Sequence, residues 1–152
     1  MLTDEVKAYA DRCVLCWVAT VDSSGCPNVS PKEIFSAYGD ERFLIANIAS
    51  PGTVWNITGD GRVCVSFIDV FVQKGFKVRG QAQLVQRMDP RYTELVAPLE
   101  AMTGGKFAIA GVIEVWAHEV EAIRAPSYRF YPETTEEDQV KQAMAAYGVR
   151  PS

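Results

Sequence analysis

The fold is decided by residues 15–36, LCWVATVDSSGCPNVSPKEIFS, in which two β-rich runs flank a short polar turn. Residues 15–21 are rich in β-branched and aromatic side chains, and residues 22–25 have the composition of a tight turn. Residues 28–36 follow as a second strand, where Pro31 removes one ladder donor and favours an edge position or a bulge. So short a turn joins antiparallel neighbours, because parallel strands need a crossover of a dozen or more residues. The stretch therefore predicts an antiparallel sheet.

Four further segments are predicted strands, at residues 42–48, 62–68, 76–85 and 112–120. Residues 76–85 alternate with period two, which is the pattern of a half-buried strand. The apolar set is Phe76, Val78, Ala82 and Leu84, and the polar set is Lys77, Arg79, Gln81 and Gln83. Together with the first hairpin, these segments predict a mainly β protein with six antiparallel strands, arranged as a barrel or a sandwich.

Four short helices are predicted around the strands. Residues 3–13 carry an apolar stripe with Thr3 as N-cap, and a second helix begins at Ser50-Pro51. Asp89-Pro90 supplies a cap and an N1 proline to a third helix. The last helix is predicted to begin at Thr134, because a glutamate three residues later completes a capping box.

Composition places the chain among ordinary globular proteins. Its 152 residues are 48% hydrophobic and 22% charged, with a formal net charge of −4. A chain of this size can bury one self-sufficient core, so residues 1–152 are predicted to form a single domain with a helical extension at about 125–152. The hydrophobic share argues against disorder, and the negative net charge argues against a positive electrostatic field that attracts nucleic acid. No run of residues is long and apolar enough to span a membrane.

The N-terminus and the cysteines predict a cytoplasmic protein. Asp4 and Glu5 stand where a secretory signal peptide carries positive charge, and four cysteines are too sparse for a disulfide scaffold. Cys13 and Cys16 form one CxxC pair, which is either a redox or zinc site or two buried thiols. The single histidine, His118, gives little support for zinc, so we expect buried, reduced thiols and no metal site.

The segment Asn47-Ile48-Ala49-Ser50-Pro51-Gly52-Thr53 has the features of a phosphate-binding helix start. A helix that begins at Ser50-Pro51 leaves the N–H groups of Gly52 and Thr53 without intrahelical acceptors. The Ser50 and Thr53 hydroxyls add donors, and the positive end of the helix dipole favours an anion. The alternative is an ordinary helix start without a ligand.

Three basic residues are candidates for the positive charge that a phosphate attracts. Lys32 follows Ser30-Pro31 on the second strand, where the proline loosens strand pairing and frees backbone groups for a flat polar ligand. Lys77 and Arg79 share the polar face of the strand at 76–85. Each of the three also suits a solvated surface, so both interpretations remain open from the residues alone.

Four stretches together resemble the pyridoxamine 5′-phosphate oxidase-like family of FMN-binding split barrels. They are VATVDSSGCPNVSPKEIF, FLIANIASPGTVWNI, RVCVSFIDV and FKVRGQAQLV, and VSPK and NIASPGTV are the most specific parts. The resemblance covers about residues 3–124 and implies a six-stranded antiparallel split β-barrel. It also implies a homodimer with FMN at the subunit interface. The strand at Ser30–Glu33 would lie along the flavin ring, and the turn at Asn47–Thr53 would hold the ribityl chain and phosphate.

The chain departs from the family pattern at the phosphate. Family oxidases usually carry an Arg-Lys pair where this chain has Pro51-Gly52, and an arginine where it has Ser30. Lys32 is expected to replace this charge, together with Lys77 or Arg79. The Arg-x-His element that grips the pyridoxal substrate in such oxidases is absent, so pyridoxamine phosphate oxidase activity is not expected. The tail from about residue 125 is similar to the extension of a subgroup of small proteins.

The predicted function is that of an FMN-binding flavoprotein, first of all an oxidoreductase that acts on a small-molecule substrate or electron donor. The flavin would carry the electrons, and no side chain stands out as an acid, base or nucleophile. Two alternatives remain open: a non-catalytic FMN-binding or electron-carrier protein, and a barrel that binds deazaflavin or haem. His118 is the one histidine that could ligate haem iron. Packing in the core or at an interface is predicted for Trp17, Trp55 and Trp116.

Overall fold

One antiparallel sheet of seven strands forms the body of the protein, which a computed structural model describes over residues 1–152. The strands in chain order are β1 (Cys16–Val21), β2 (Pro27–Lys32), β3 (Phe35–Tyr38), β4 (Arg42–Asn47), β5 (Arg62–Asp69), β6 (Lys74–Val85) and β7 (Gly111–Arg124). The helices are α1 (Asp4–Arg12), α2 (Pro51–Gly59), α3 (Tyr92–Thr103), α4 (Pro126–Phe130) and α5 (Glu136–Tyr147). The longest have 12 residues, and none combines the length and hydropathy that a membrane-spanning helix needs.

The order of the strands forces the sheet to curl. Neighbours run β2-β1-β5-β6-β7-β4-β3, so β2 and β3 are the two edges. Only Glu33 and Ile34 join these edges along the chain. A flat sheet of seven strands is about 29 Å wide at 4.8 Å per step, which so short a link cannot cross. The sheet therefore rolls into a half-barrel that brings its edges together.

The mainly β, barrel-like architecture predicted from the sequence is confirmed, but the number of strands is wrong. The predicted strand at 28–36 is two strands, β2 and β3, so the sheet has seven strands and not six. The break falls at Glu33-Ile34, where the backbone leaves β1 and turns to β4, and the Ala46 N–H donates to the Ile34 carbonyl at 2.9 Å. The edge position of β2, predicted from Pro31, is confirmed.

The inside of the curled sheet holds the larger core, a cluster of 19 buried residues. Phe67 lies at its centre, with its ring 5.6 Å from Phe43, 6.2 Å from Phe35 and 6.3 Å from Phe76. α1 adds its apolar stripe to this cluster, and Thr3 caps the helix as predicted. The interior is therefore filled by side chains rather than open as a channel.

A second core lies under α3. Leu95, Val96 and Leu99 of this helix form one cluster with Leu44 of β4 and Val112 of β7. These strand residues alternate with those that face the larger core, so α3 packs on the outer face of the sheet.

Glu114 is fully buried on this outer face and is compensated by two arginines. Its carboxylate accepts hydrogen bonds from Arg42 at 2.7 Å, Gln83 at 2.6 Å and Arg91 at 2.9 Å. Burial by itself raises the pKa of the Glu114 carboxyl, but these donors outweigh it and hold the pKa below its usual value.

Two predicted helix starts are displaced. α3 begins at Tyr92, because the Asp89 carboxylate accepts from the Arg91 N–H at 2.9 Å and forms a turn before the helix. α5 begins one residue later than predicted, with Thr135 as cap and Asp138 as its partner in the capping box. Asp138 has the shorter acidic side chain, yet it reaches the cap N–H at 3.3 Å.

The extension from about residue 125 is helical, as predicted, and packs on the turn between β5 and β6. The Tyr128 hydroxyl donates to the Val72 carbonyl at 2.7 Å, and Gln139 donates to the Gln73 side chain at 2.9 Å. Gln73 has a φ of 56°, a conformation that non-glycine residues seldom adopt. The contact with α5 therefore holds a strained turn in place.

The CxxC pair lies at the junction of α1 and β1, and both cysteines are buried, as predicted. Burial raises the pKa of the Cys13 thiol to about 11 and that of Cys16 to about 12. A thiol with such a pKa is almost entirely protonated at neutral pH, so neither is an active nucleophile.

We predict that Glu114→Gln lowers the free energy of unfolding at pH 7 by about 1.5–3 kcal/mol, the usual loss for hydrogen bonds to charged groups. The folded pKa of Glu114 lies below the unfolded value of about 4.3, so its stabilisation is present above that pH and is lost as the pH falls through the folded pKa. Urea titrations at pH 7 and pH 3 measure this difference. Glu121→Gln, at an exposed pair, is the control and should change stability by less than about 0.5 kcal/mol.

Candidate functional site

A row of polar side chains joins α2 to the β1–β2 hairpin, and we call it the polar seam. Residues 50, 53 and 56 lie on one face of α2 because three residues make almost one helical turn. Each pairs with a side chain of the hairpin. The three contacts are Lys32 to Ser50, Ser30 to Thr53 at 2.6 Å, and Asn56 to Thr20 at 3.0 Å.

The strand register explains why Ser30 and Lys32 reach α2. Ser30 pairs with Val18 and Lys32 with Cys16, and both partners are fully buried in the larger core. Because paired residues point to the same side of a sheet, Ser30 and Lys32 face the inside of the half-barrel. β2 is an edge strand, so no further strand covers this side of the seam.

Lys32 is a buried cation without a carboxylate. Its side chain is only 7% exposed, and its one hydrogen-bond partner is the Ser50 hydroxyl. Burial lowers the pKa of the Lys32 ammonium, and the neighbouring Cys16 thiol opposes that effect only in part. Lysine is seldom buried in proteins unless it is paired, so this charge is available to an anion.

The first turn of α2 offers further donors beside Lys32. Ser50 is the N-cap by position, but its hydroxyl makes no cap bond and instead accepts from Lys32. The first backbone bond at this end runs from Val54 to the Ser50 carbonyl, so the N–H groups of Gly52 and Thr53 have no acceptor in the chain. The space above Gly52 is open. An anion can therefore approach the first turn of α2 at Gly52.

The donor set suits a phosphate group. It combines an ammonium, hydroxyls and helix N-terminal amides, with no carboxylate among them, and these are the groups that bind phosphate in proteins. The desolvated Lys32 is the uncompensated partner that such an anion would satisfy.

The structure does not bring all the predicted basic residues together. Lys77 and Arg79 alternate with Phe76 and Val78 of the core, so they lie on the outer face of the sheet, away from Lys32. Both are paired with glutamates of β7: Lys77 with Glu121 at 3.0 Å, and Arg79 with Glu119 at 2.9 Å. Within one chain, Lys32 is thus the cation at the start of α2.

The remaining predicted site residues border the seam. Asn47 ends β4, and its carbonyl accepts from Ala110 at 2.9 Å. Ile48 and Ala49 are exposed in the loop that leads to Ser50, and Pro31 is exposed on β2. These positions form the rim of the surface around the first turn of α2.

The other candidates lie apart from the seam. His118 is exposed on β7, where the pairing with β6 shifts by one residue between Arg79 and Gly80. The tryptophans are not part of the core of the chain, since Trp17, Trp55 and Trp116 are 44%, 79% and 38% exposed.

Thr20 and Asn56 are the members of the seam that the sequence reasoning missed. The spacing of Ser50, Thr53 and Asn56 was the available signal, because polar residues three apart on a short helix mark one polar face. Thr20 carried no such signal, since a threonine near the end of a strand has many possible neighbours.

Comparison with known proteins identifies relatives by sequence and by fold. The profile of the family described as "Pyridoxamine 5'-phosphate oxidase" matches residues 2–131. None of the curated proteins matches the chain. HupZ of Group A Streptococcus superposes with a TM-score of 0.71 at 24% identity, over 82% of this chain and 96% of that chain.

Two further solved structures share the fold. An FMN-binding protein from Syntrophomonas wolfei superposes with a TM-score of 0.69 at 12% identity, over 80% of this chain and 86% of that chain. An F420 reductase superposes with a TM-score of 0.59 at 20% identity, over 79% of this chain and 98% of that chain. At identities below 25%, these structural similarities establish the fold and do not identify the ligand.

We predict that Lys32→Met stabilises the ligand-free protein by about 0.5–2 kcal/mol at pH 7, the usual range for a stabilising substitution, because it removes a buried ammonium that has no carboxylate partner. Since the folded pKa of Lys32 lies below the unfolded value of about 10.4, the wild type gains stability as the pH rises between the two. The advantage of the variant should therefore shrink towards pH 10. Urea titrations at both pH values test this, and Lys77→Met, whose ammonium is paired with Glu121, should show no such gain.

Proposed function

We propose, because the chain belongs to the pyridoxamine 5′-phosphate oxidase family, that it is a flavoprotein that binds FMN at the start of α2. The observation that carries this proposal is the buried ammonium of Lys32, which lacks a carboxylate and lies beside a helix N-terminus. A phosphate monoester carries about −1.5 to −2 charges at pH 7, so it would compensate this cation and accept from the free N–H groups.

Each residue of the site has a distinct part in holding the phosphate. Lys32 supplies the charge. Ser50 supplies a hydroxyl that Lys32 already orients, and Gly52 supplies a backbone N–H group. Thr53 supplies its N–H group and a hydroxyl that would accept from Ser30 and donate to the phosphate. Gly52 leaves the approach open, and Pro51 removes an N–H that would otherwise need a partner. This set takes the place of the Arg-Lys pair that family oxidases usually carry.

The rest of the cofactor would extend along the rim of the seam. We assign the ribityl chain to the loop at Asn47, Ile48 and Ala49, which leads directly into the phosphate site. We assign the flavin ring to the edge strand at Ser30, Pro31 and Lys32. Backbone groups on the free edge of β2 are not used by another strand, so they are available to a flat polar ring.

We infer that the protein is an oxidoreductase acting on a small molecule. Bound FMN would supply hydride or electron transfer, for which the chain needs no acid or base of its own. The chain's own residues would bind the phosphate, orient the ring against β2 and shield it from water. Lys77 and Arg79, which are paired with glutamates on the outer face, have no part in this assignment within one chain.

We further propose that two copies of the chain complete the site. β2 is exposed along most of its length, so a ring lying on it would be open on one side in a single chain. Exposed apolar side chains adjoin this region, among them Trp17, Val29 and Ile48. A homodimer that covers them would bury the ring and the apolar surface together.

A deazaflavin is the second candidate ligand, since an F420 reductase shares this fold. The phosphate group of such a cofactor would meet the same donors at the start of α2. The spectrum of the cofactor that copurifies with the protein separates the two, because the two ring systems absorb at different wavelengths.

We predict that Ser50→Ala, Thr53→Ala and Lys32→Glu each weaken FMN binding at least tenfold, or about 1.4 kcal/mol. Titrations that follow flavin fluorescence measure the affinity, and Lys77→Glu is the matched control on the outer face, with unchanged affinity expected. Unchanged affinity in all three site variants would contradict the placement of the phosphate.

We predict that NAD(P)H bleaches the absorbance of the bound flavin in an anaerobic stopped-flow experiment. The expectation follows from the proposed reductase function, in which a nicotinamide donor passes a hydride to the flavin. If neither NADH nor NADPH reduces the flavin, the reductase assignment fails and a non-catalytic FMN-binding protein takes its place.

A further inference from the structure

We propose that Thr20 and Asn56 are positioning residues, whose hydrogen bond holds α2 in the direction that presents its first turn to the ligand phosphate. This inference rests on the proposed function. Neither residue belongs to the phosphate site, and their effect would reach it through the helix.

The contact between them is buried and is the only side-chain hydrogen bond of each. The Asn56 amide donates to the Thr20 hydroxyl at 3.0 Å, and the two residues are 8% and 3% exposed. Breaking such a bond leaves a polar group buried without a partner, so the contact strongly favours one arrangement of the helix over others.

Asn56 lies too far along α2 to touch the phosphate itself. It follows Ser50 by six residues, which is about 9 Å along the helix axis at a rise of 1.5 Å per residue. An effect of Asn56 on phosphate binding must therefore come from the position of the helix.

Directional contacts orient α2 because it has few apolar ones. Its buried residues are Thr53, Asn56 and Ile57, and only Ile57 joins the larger core. Apolar packing through one side chain leaves a nine-residue helix free to tilt, whereas hydrogen bonds have narrow distance and angle requirements. The polar seam thus takes over the orienting role that an apolar face has in other helices.

The contact at Asn56 becomes more important when the site is filled. A phosphate at the first turn would compete for Lys32 and Ser50, and it would weaken the seam at that end. The contacts that remain are Ser30 to Thr53 at 2.6 Å and Thr20 to Asn56 at 3.0 Å. Two contacts along a helix fix the direction of its axis. Loss of the Thr20–Asn56 contact would therefore leave α2 free to pivot about the Ser30–Thr53 contact.

The test compares FMN with riboflavin, which has the same ring and ribityl chain but no phosphate. Thr20→Val and Asn56→Leu remove the hydrogen bond and keep the number and branching of the side-chain heavy atoms, and Thr20→Ser retains the hydroxyl. Thr58→Val is the matched control, because the Thr58 hydroxyl bonds within α2 to the Val54 carbonyl and makes no contact with the hairpin.

We expect Thr20→Val and Asn56→Leu each to reduce FMN affinity five- to tenfold with riboflavin affinity unchanged. The double variant should lose no more FMN affinity than the weaker-binding single variant, because both substitutions remove the same hydrogen bond. Thr20→Ser and Thr58→Val should keep the wild-type ratio of the two affinities. In the ligand-free protein, the amide resonances of Gly52 and Thr53 should move in Thr20→Val and stay in place in Thr58→Val.

An unchanged ratio of FMN to riboflavin affinity in Thr20→Val would overturn the positioning role, and so would additive losses in the double variant. Equal losses for both ligands would also overturn it, because they indicate general damage to the fold. A wild-type protein that binds riboflavin as tightly as FMN contradicts the proposed phosphate site instead. Thr20→Val decides the question if Asn56→Leu does not fold.

Discussion

The structure depends on a two-residue link between the edges of its own sheet. Glu33 and Ile34 carry the chain directly from β2 to β3, although these strands are at opposite ends of the strand order. The sheet must curl to permit this, and the curl creates the interior that the phenylalanine cluster around Phe67 fills. The same link keeps β2 at an edge, where Ser30 and Lys32 meet α2. The constraint that makes the barrel therefore also makes the candidate site.

Two buried charges show how the protein treats stability and function differently. Glu114 on the outer face is enclosed by Arg42, Arg91 and Gln83, so its charge is fully compensated within the chain. Lys32 on the inner face has one hydroxyl partner and no carboxylate. The first arrangement holds strands and helix together, whereas the second leaves a buried ammonium that an anion would compensate. This contrast singles out Lys32 among the basic residues of the chain as the one suited to a ligand.

The sequence predictions were accurate where the interactions join residues close together in the chain, and less accurate where they join distant residues. The period-two pattern of residues 76–85, the turn at 22–25 and the Thr3 cap involve near neighbours in the chain, and the structure agrees with each. The break at Glu33-Ile34 was missed, because nothing within residues 28–36 shows that the chain changes its strand partner there. The displaced start of α5 reflects a choice between the adjacent Thr134 and Thr135, which have the same capping propensity. α3 starts later than predicted because the Asp89 carboxylate caps a turn that precedes the helix.

The sequence by itself determined the antiparallel β class, the helix start at Ser50-Pro51 and the candidate donors around it, because these depend on local patterns of apolar side chains, turns and caps. Only the tertiary structure decided which basic residue meets that helix. In the sequence, Lys32, Lys77 and Arg79 are equally good candidates. In the structure, strand alternation places Lys32 on the inner face of the sheet and places Lys77 and Arg79 on the outer face, where they pair with glutamates. It also paired Thr20 with Asn56 across 36 residues of sequence. Such contacts depend on strand register and on the curl of the whole sheet, which no short stretch of sequence specifies.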